Sequence, residues 1–142
     1  LQIIALSCKD VAGLTAASLD SAALCQIGER LDLLKHTGRY ELTAFTILEF
    51  FTHRAPSHAI RTAYAELLQH LMWGNPLRSM AAQAGINTAS YLPYLEFFAG
   101  CVEKSDLTGF PEKLEELILF EFKLLLDKLG RLGIPEASGL LF

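Results

Sequence analysis

Residues 110–133 read FPEKLEELILFEFKLLLDKLGRLG, and this segment has the clearest periodicity in the chain. Apolar side chains recur there every three or four residues, as on one face of an α-helix: Leu114, Ile118, Phe122, Leu125 and Leu129. Pro111 suits a first helical turn, and Gly130 and Gly133 are suitable stops. Three more apolar residues widen the face beyond what a surface helix needs, namely Leu117, Phe120 and Leu124. The segment therefore predicts a long helix that is covered on more than one side, with Ile118 buried at its centre.

The composition predicts a single soluble domain with an apolar excess. The chain has 142 residues, of which 51% are hydrophobic and 20% charged, and its mean hydropathy is +0.31. A chain of this length suits one domain with a real core. A membrane span needs about 20 mostly apolar residues in succession, and charged residues interrupt the longest apolar runs: Glu49, Glu96, Glu121 and Lys123. We therefore expect residues 1–142 to form one soluble domain, without a membrane span, that offers an apolar face to a partner.

The net charge limits the class of partner, and the cysteine pattern predicts the cellular compartment. The net charge is −4 and the pI is about 5.5, which argues against nucleic acid as the main partner, because nucleic-acid binders usually carry a basic patch. Cys8, Cys25 and Cys101 are odd in number and widely spaced, with no Cys-x-x-Cys pair. This pattern predicts buried free thiols in a reducing compartment, the cytoplasm.

The N-terminal third is expected to begin with an irregular segment followed by a helix. Residues 1–14 are ambiguous between a short strand and a first helical turn, and Gly13 is expected to break them. Thr15 and Ser18 are the predicted N-caps of the following helix. Gly38 is expected to end that helix.

Two further helices are expected before residue 74. Helical spacing predicts one over residues 39–54, although its Thr and Ile residues leave a buried strand open as the alternative. Pro56 is expected to end that segment. Ser57 is then a good cap for a helix that runs to about Trp73.

Residues 77–100 read LRSMAAQAGINTASYLPYLEFFAG and predict a helix–turn–helix corner. A short helix is expected to stop at Gly85, which should have a left-handed backbone. Asn87 or Thr88 is expected to cap the second helix, whose first turn would contain Pro93.

In the order of Ala81, Gly85 and Ile86, this corner resembles the helix-turn-helix of AraC-type regulators. The resemblance implies a nucleic-acid-associated regulator, whose expected contact residues are Arg78, Asn87, Thr88 and Ser90. The second helix departs from that pattern because it has no Arg or Lys before Lys104, and these two residue types make most phosphate and base contacts. The regulator is therefore an alternative function.

The titratable residues do not form a motif for catalysis, a metal or a cofactor. Glu66 and His70 share a helical face, but metal sites in helical bundles use Glu-x-x-His with carboxylates from facing helices. A solvent-facing pair is the simpler interpretation. Three acids near the start of residues 110–133 suit the positive end of a helix dipole: Glu112, Glu115 and Glu116. We therefore predict no catalytic residue, no metal and no cofactor.

The aromatic residues between positions 91 and 98 indicate a partner surface. Their sequence, YLPYLEFF, gives the helix apolar groups on two sides, and one side is enough for its own core. Tyr94 and Phe97 are therefore the predicted interface residues. The apolar residues 134–142 add Leu141 and Phe142 as further candidates.

Together these patterns predict an all-α fold of five or six helices joined by short turns. The predicted function is a non-enzymatic protein-interaction module that self-associates or binds a partner protein through its apolar surface. Besides the regulator, a helical bundle that binds an apolar small molecule is an alternative.

Overall fold

The computed structural model describes residues 2–73 and 88–131, and within these ranges it contains six α-helices and no strand. The prediction of an all-α fold is therefore confirmed. The helices are α1 (Gln2–Ala17), α2 (Ser21–Thr37), α3 (Thr43–Arg54), α4 (His58–Trp73), α5 (Leu92–Glu103) and α6 (Phe110–Arg131). Two 3₁₀ turns, Tyr40–Leu42 and Thr88–Tyr91, precede α3 and α5.

The N-terminal segment differs most from its predicted structure. Gly13 does not break the segment, because α1 continues through it to Ala17. A helical glycine costs about 1 kcal/mol relative to alanine, but α1 has its most extensive contacts with α6, and this packing outweighs the local preference. Gly13 itself lies next to Pro111, at the start of α6.

The N-cap of α2 was also predicted wrongly. Asp20 caps the helix, since its Oδ1 accepts the Ala23 amide at 2.8 Å. Thr15 instead belongs to α1, and Ser18 Oγ donates to the Thr15 carbonyl at 2.7 Å.

Other local predictions are confirmed. Gly38 ends α2 with φ +70°, a left-handed conformation that glycine adopts without steric cost. Residues 43–54 are helical rather than extended. The Ser57 hydroxyl accepts the Ile60 amide at 3.3 Å at the start of α4.

The core joins α3, α4, α5 and α6 through a chain of aromatic rings. The Phe51 ring lies 5.6 Å from the Phe110 ring and 6.1 Å from the Tyr64 ring, measured between centroids. The Phe98 and Phe110 centroids are 4.7 Å apart. Ile118 is fully buried on α6, as predicted.

A buried hydrogen bond links α1 to α4. The Thr15 and Tyr64 hydroxyl oxygens are 2.8 Å apart, and both residues are fully buried. Thr15 Oγ1 also donates to the Val11 carbonyl at 2.8 Å. Neither side chain was expected in the core on the basis of the sequence.

Replacement of Tyr64 by phenylalanine is expected to lower the free energy of unfolding by about 1–2 kcal/mol, because a buried hydroxyl partner is lost while the ring stays in place. Chemical denaturation of Tyr64→Phe, Thr15→Val and the double variant would measure this. If the two single losses add fully in the double variant, the two hydroxyls are not coupled.

Candidate interaction surface

Helix α5 is positioned by its N-terminal proline and by its buried face. Pro93 lies in the first turn, as predicted, where a missing amide proton costs no hydrogen bond. Leu95, Phe98 and Val102 point into the core. This arrangement leaves the neighbouring positions Tyr94 and Phe97 on the side of α5 that borders α6 and solvent.

Tyr94 is half-buried because α6 supplies a ring beside it. The Tyr94 and Phe120 centroids are 5.5 Å apart with 32° between the ring planes. Tyr91 approaches Phe120 edge-on, with the centroids 5.3 Å apart and 81° between the ring planes. Phe120 therefore contacts two tyrosines, and it is only half-buried itself.

Phe97 is the most solvent-exposed aromatic residue of this group, with 36% of its surface accessible. Its ring packs edge-on against Phe98, with the centroids 5.8 Å apart. On its other side the chain turns at Gly109, where φ is +79° and a side-chain carbon would lie 3.5 Å from Phe97 Cζ. The turn thus supports one edge of the ring and leaves the remainder open to solvent.

The ammonium of Lys113 contacts the rings of both Tyr94 and Phe97. Its Nζ lies 5.2 Å from the Tyr94 centroid and 5.5 Å from the Phe97 centroid, within the range of a cation–π contact. The same Nζ is 2.8 Å from Glu116 Oε2. Lys113 is not among the predicted interface residues, although its spacing of three from Glu116 is typical of a helical ion pair.

The ionisation of this group is set by those contacts. The hydrogen bond to Glu116 raises the pKa of Lys113, so the ammonium is retained at neutral pH. Burial raises the pKa of Tyr94, the charge of Glu116 raises it further, and Lys113 partly opposes both. At neutral pH Tyr94 is therefore a neutral phenol and Lys113 an ammonium.

An open groove continues from Phe120 toward the C-terminal end of α6. Its volume is about 600 Å³, and among the described residues it is lined by Phe120, Lys123, Leu124 and Asp127. Leu124 is half-buried, whereas Lys123 and Asp127 are exposed. We call the combination of this groove with Tyr94, Phe97 and Lys113 the aromatic surface.

Of the predicted interface residues, the structure describes Tyr94 and Phe97. Tyr94 and Phe97 lie side by side over Lys113, and Phe97 is the more exposed of the two. Leu141 and Phe142 lie outside the described residues.

Only half of the predicted nucleic-acid corner can be located. Arg78, Gly85 and Asn87 lie outside the described residues. Thr88 begins the 3₁₀ turn before α5, and Ser90 in the same turn is exposed. The described part of the corner adds no basic side chain to these residues.

Cys25 and Cys101 differ from the prediction of buried thiols, and the side chain of Cys8 lies outside the described part of the chain. Cys25 is exposed and Cys101 is half-buried, and both are free. The apolar neighbours of Cys25 in sequence lie on the inward face of α2, whereas Cys25 itself lies on the outward face. Burial, and secondarily the charge of Asp106, raises the pKa of the Cys101 thiol, which makes the reactive thiolate scarcer at neutral pH.

A second cluster, on α2 and α3, covers a core ring. The guanidinium carbons of Arg30 and Arg54 lie 5.4 and 5.2 Å from the Phe50 centroid. Arg54 also donates to the side-chain oxygen of Gln26. Phe50 is only 2% exposed, so the two side chains act as a lid over the core.

The described residues were also compared with the requirements of a metal site and of a membrane-spanning helix. Among the side chains described, no three His, Cys, Asp or Glu residues are close enough together to hold a metal ion. Within ranges 2–73 and 88–131, none of the helices combines the length and apolarity needed to cross a membrane.

No protein-family model matches the sequence, and no match was found among curated proteins or solved structures.

Proposed function

We propose that this chain is a non-enzymatic helical interaction module that associates through the aromatic surface, with a second copy of itself or with a helix of a partner protein. The observation that carries the proposal is the 36% exposure of Phe97 beside the half-buried rings of Tyr94 and Phe120. Aromatic side chains with partial support from their own fold lose little conformational entropy on binding, and they dominate many protein interfaces.

The surroundings of Phe97 also suit a protein partner. Lys113 and Glu116 place opposite charges next to the rings, and Lys123 and Asp127 do so at the groove. An apolar centre with a charged rim is the usual anatomy of a protein interface. The free thiols of Cys25 and Cys101 are consistent with a reducing compartment, and we place the protein in the cytoplasm.

The substitution Phe97→Ser tests the proposal. We expect it to weaken association at least about tenfold, because central aromatic residues commonly contribute more than about 1–2 kcal/mol to binding. We also expect the free energy of unfolding to fall by only about 1–2 kcal/mol, because part of the ring is already accessible to solvent and less apolar area is lost than at a core position. Sedimentation velocity over a range of micromolar concentrations would measure the association, and chemical denaturation the stability.

Leu33→Ser is the matched control, since Leu33 is 63% exposed but lies on α2. If wild type is monomeric, affinity capture of a partner that is lost with Phe97→Ser and kept with Leu33→Ser would support the partner-protein form. The proposal fails if Phe97→Ser changes neither association nor capture and instead lowers stability by several kcal/mol, since Phe97 would then serve the core alone.

A bundle that binds an apolar small molecule is the second candidate, favoured by the volume of the groove. About 600 Å³ falls within the usual range of ligand pockets. The groove is open, however, and its described lining residues include the charged Lys123 and Asp127, which fits a protein surface better. A ligand carried through purification would appear as a mass shift in native mass spectrometry.

A further inference from the structure

Helix α6 has a second stripe of residues beside the face that enters the core. The core face is formed by Leu114, Leu117, Ile118, Glu121 and Phe122, all buried. The outer stripe consists of Lys113, Glu116, Phe120, Lys123 and Asp127, with Leu124 next to Lys123. Its steps of three, four, three and four residues average 3.5, the spacing at which two helices remain in contact along their length.

The charges of the outer stripe are placed almost symmetrically about Phe120, with opposite signs at corresponding positions on its two sides. From the N-terminal end it reads positive, negative, aromatic, positive, negative. Two copies aligned in parallel would set each charge against its like. Two copies aligned antiparallel about Phe120 would set Lys113 opposite Asp127 of the second copy, seven residues on either side of the centre. Glu116 and Lys123 would face each other in the same way, to within one residue.

We propose that two copies of this chain associate through their α6 helices, antiparallel, with the Phe120 residues meeting at a two-fold axis. This inference rests on the proposed function and specifies that the partner is a second copy of this chain. A two-fold arrangement makes every contact twice, so four complementary charge contacts surround one apolar centre. The contact from Lys113 to Asp127 extends over about 21 Å of helix at 1.5 Å per residue.

The neighbouring helix enlarges that contact. Tyr94 and Phe97 lie beside Lys113, at the N-terminal end of the stripe. The C-terminal part of the second copy's α6 would therefore run along these two rings, while Phe120 and Leu124 fill the centre. With α5 included, the contact extends beyond a single helix pair, as an interface above about 1,000 Å² requires.

Reciprocal charge reversal tests the pairing. Glu116→Lys alone and Lys123→Glu alone each place like charges together twice per dimer. We expect each to weaken self-association about tenfold, since exposed ion pairs are worth about 0.2–1 kcal/mol and every pair occurs twice. An equimolar mixture of the two variants restores both opposite-charge contacts, and we expect it to associate within about threefold of wild type, given the same small pair energies.

Sedimentation velocity of the full chain at low ionic strength is the measurement, with circular dichroism to verify folding. Glu29→Lys and Lys35→Glu are the matched controls, because they make the same charge changes at exposed positions on α2. We expect neither control to weaken association, alone or mixed.

Three results would overturn the antiparallel pairing. The first is an equimolar mixture of Glu116→Lys and Lys123→Glu that associates no more tightly than either variant alone. If Phe97→Ser still weakens association in that case, the proposed function is retained. The second is a wild-type protein that stays monomeric but captures another protein, with capture abolished by Phe97→Ser. The proposed function would then be retained, and the aromatic surface would bind that other protein. A monomeric wild type whose charge variants alter only stability would indicate that residues 132–142 of the same chain cover the stripe.

Discussion

Phe51→Ala is expected to lower the free energy of unfolding by about 3–5 kcal/mol, the largest loss we predict for a single change. Phe51 is fully buried, and its ring is in contact range of three others, those of Phe50, Tyr64 and Phe110. Alanine would remove the ring and leave a cavity where α3, α4 and α6 meet. These neighbours belong to separate helices, so the cavity can close only if whole helices shift.

Urea denaturation of Phe51→Ala would measure this loss, with Phe45→Ala as the control. Phe45 lies on the same helix but is only half-buried. Its replacement should cost less, because the transfer free energy follows the area removed from water and Phe45 is not fully buried. Equal losses for the two variants would contradict the position of Phe51 at the centre of the core.

Ile118→Ala is expected to cost about 2–5 kcal/mol. Ile118 is fully buried at the middle of α6, the helix that has the most extensive contacts with α1. Alanine would leave a cavity in the core that the closely packed helices can close only in part. A smaller change, Ile118→Val, should cost about 0.5–1.5 kcal/mol.

Thermal or urea denaturation of both Ile118 variants tests this gradation, and Leu119→Ala is the neighbouring control because Leu119 is only partly buried. A change below about 0.5 kcal/mol for Ile118→Ala would be typical of a surface position and would show that this face is not the core.

The sequence pattern was sufficient for the central helix and for several helix ends. The recurrence of Leu114, Ile118 and Phe122 identified the buried face of α6, and all three are at most 2% exposed. The stop at Gly38 and the position of Pro93 in a first turn were also predicted correctly. These features depend on the backbone preferences of single residues and on the period of the helix, both of which are local.

The candidate surface was predicted only in part. Tyr94 and Phe97 were chosen because they lie off the core face of α5, and the structure brings them together. Their unequal exposure could not be read from the pattern, because it depends on Phe120 of α6 covering one ring and Gly109 supporting the other. For the same reason Lys113 was missed, since its role comes from the meeting of two helices.

Local preference was therefore enough to specify the helical class, the buried face of α6 and the helix end at Gly38. Contacts between distant parts of the chain decided that α1 passes through Gly13, that Thr15 pairs with Tyr64 across 49 residues, and that Cys25 remains exposed. At Gly13 the outcome is a competition between an intrinsic preference of about 1 kcal/mol and packing worth several times as much. Packing outweighs the local preference where a neighbouring helix is present, and only the tertiary structure determines which helix that is.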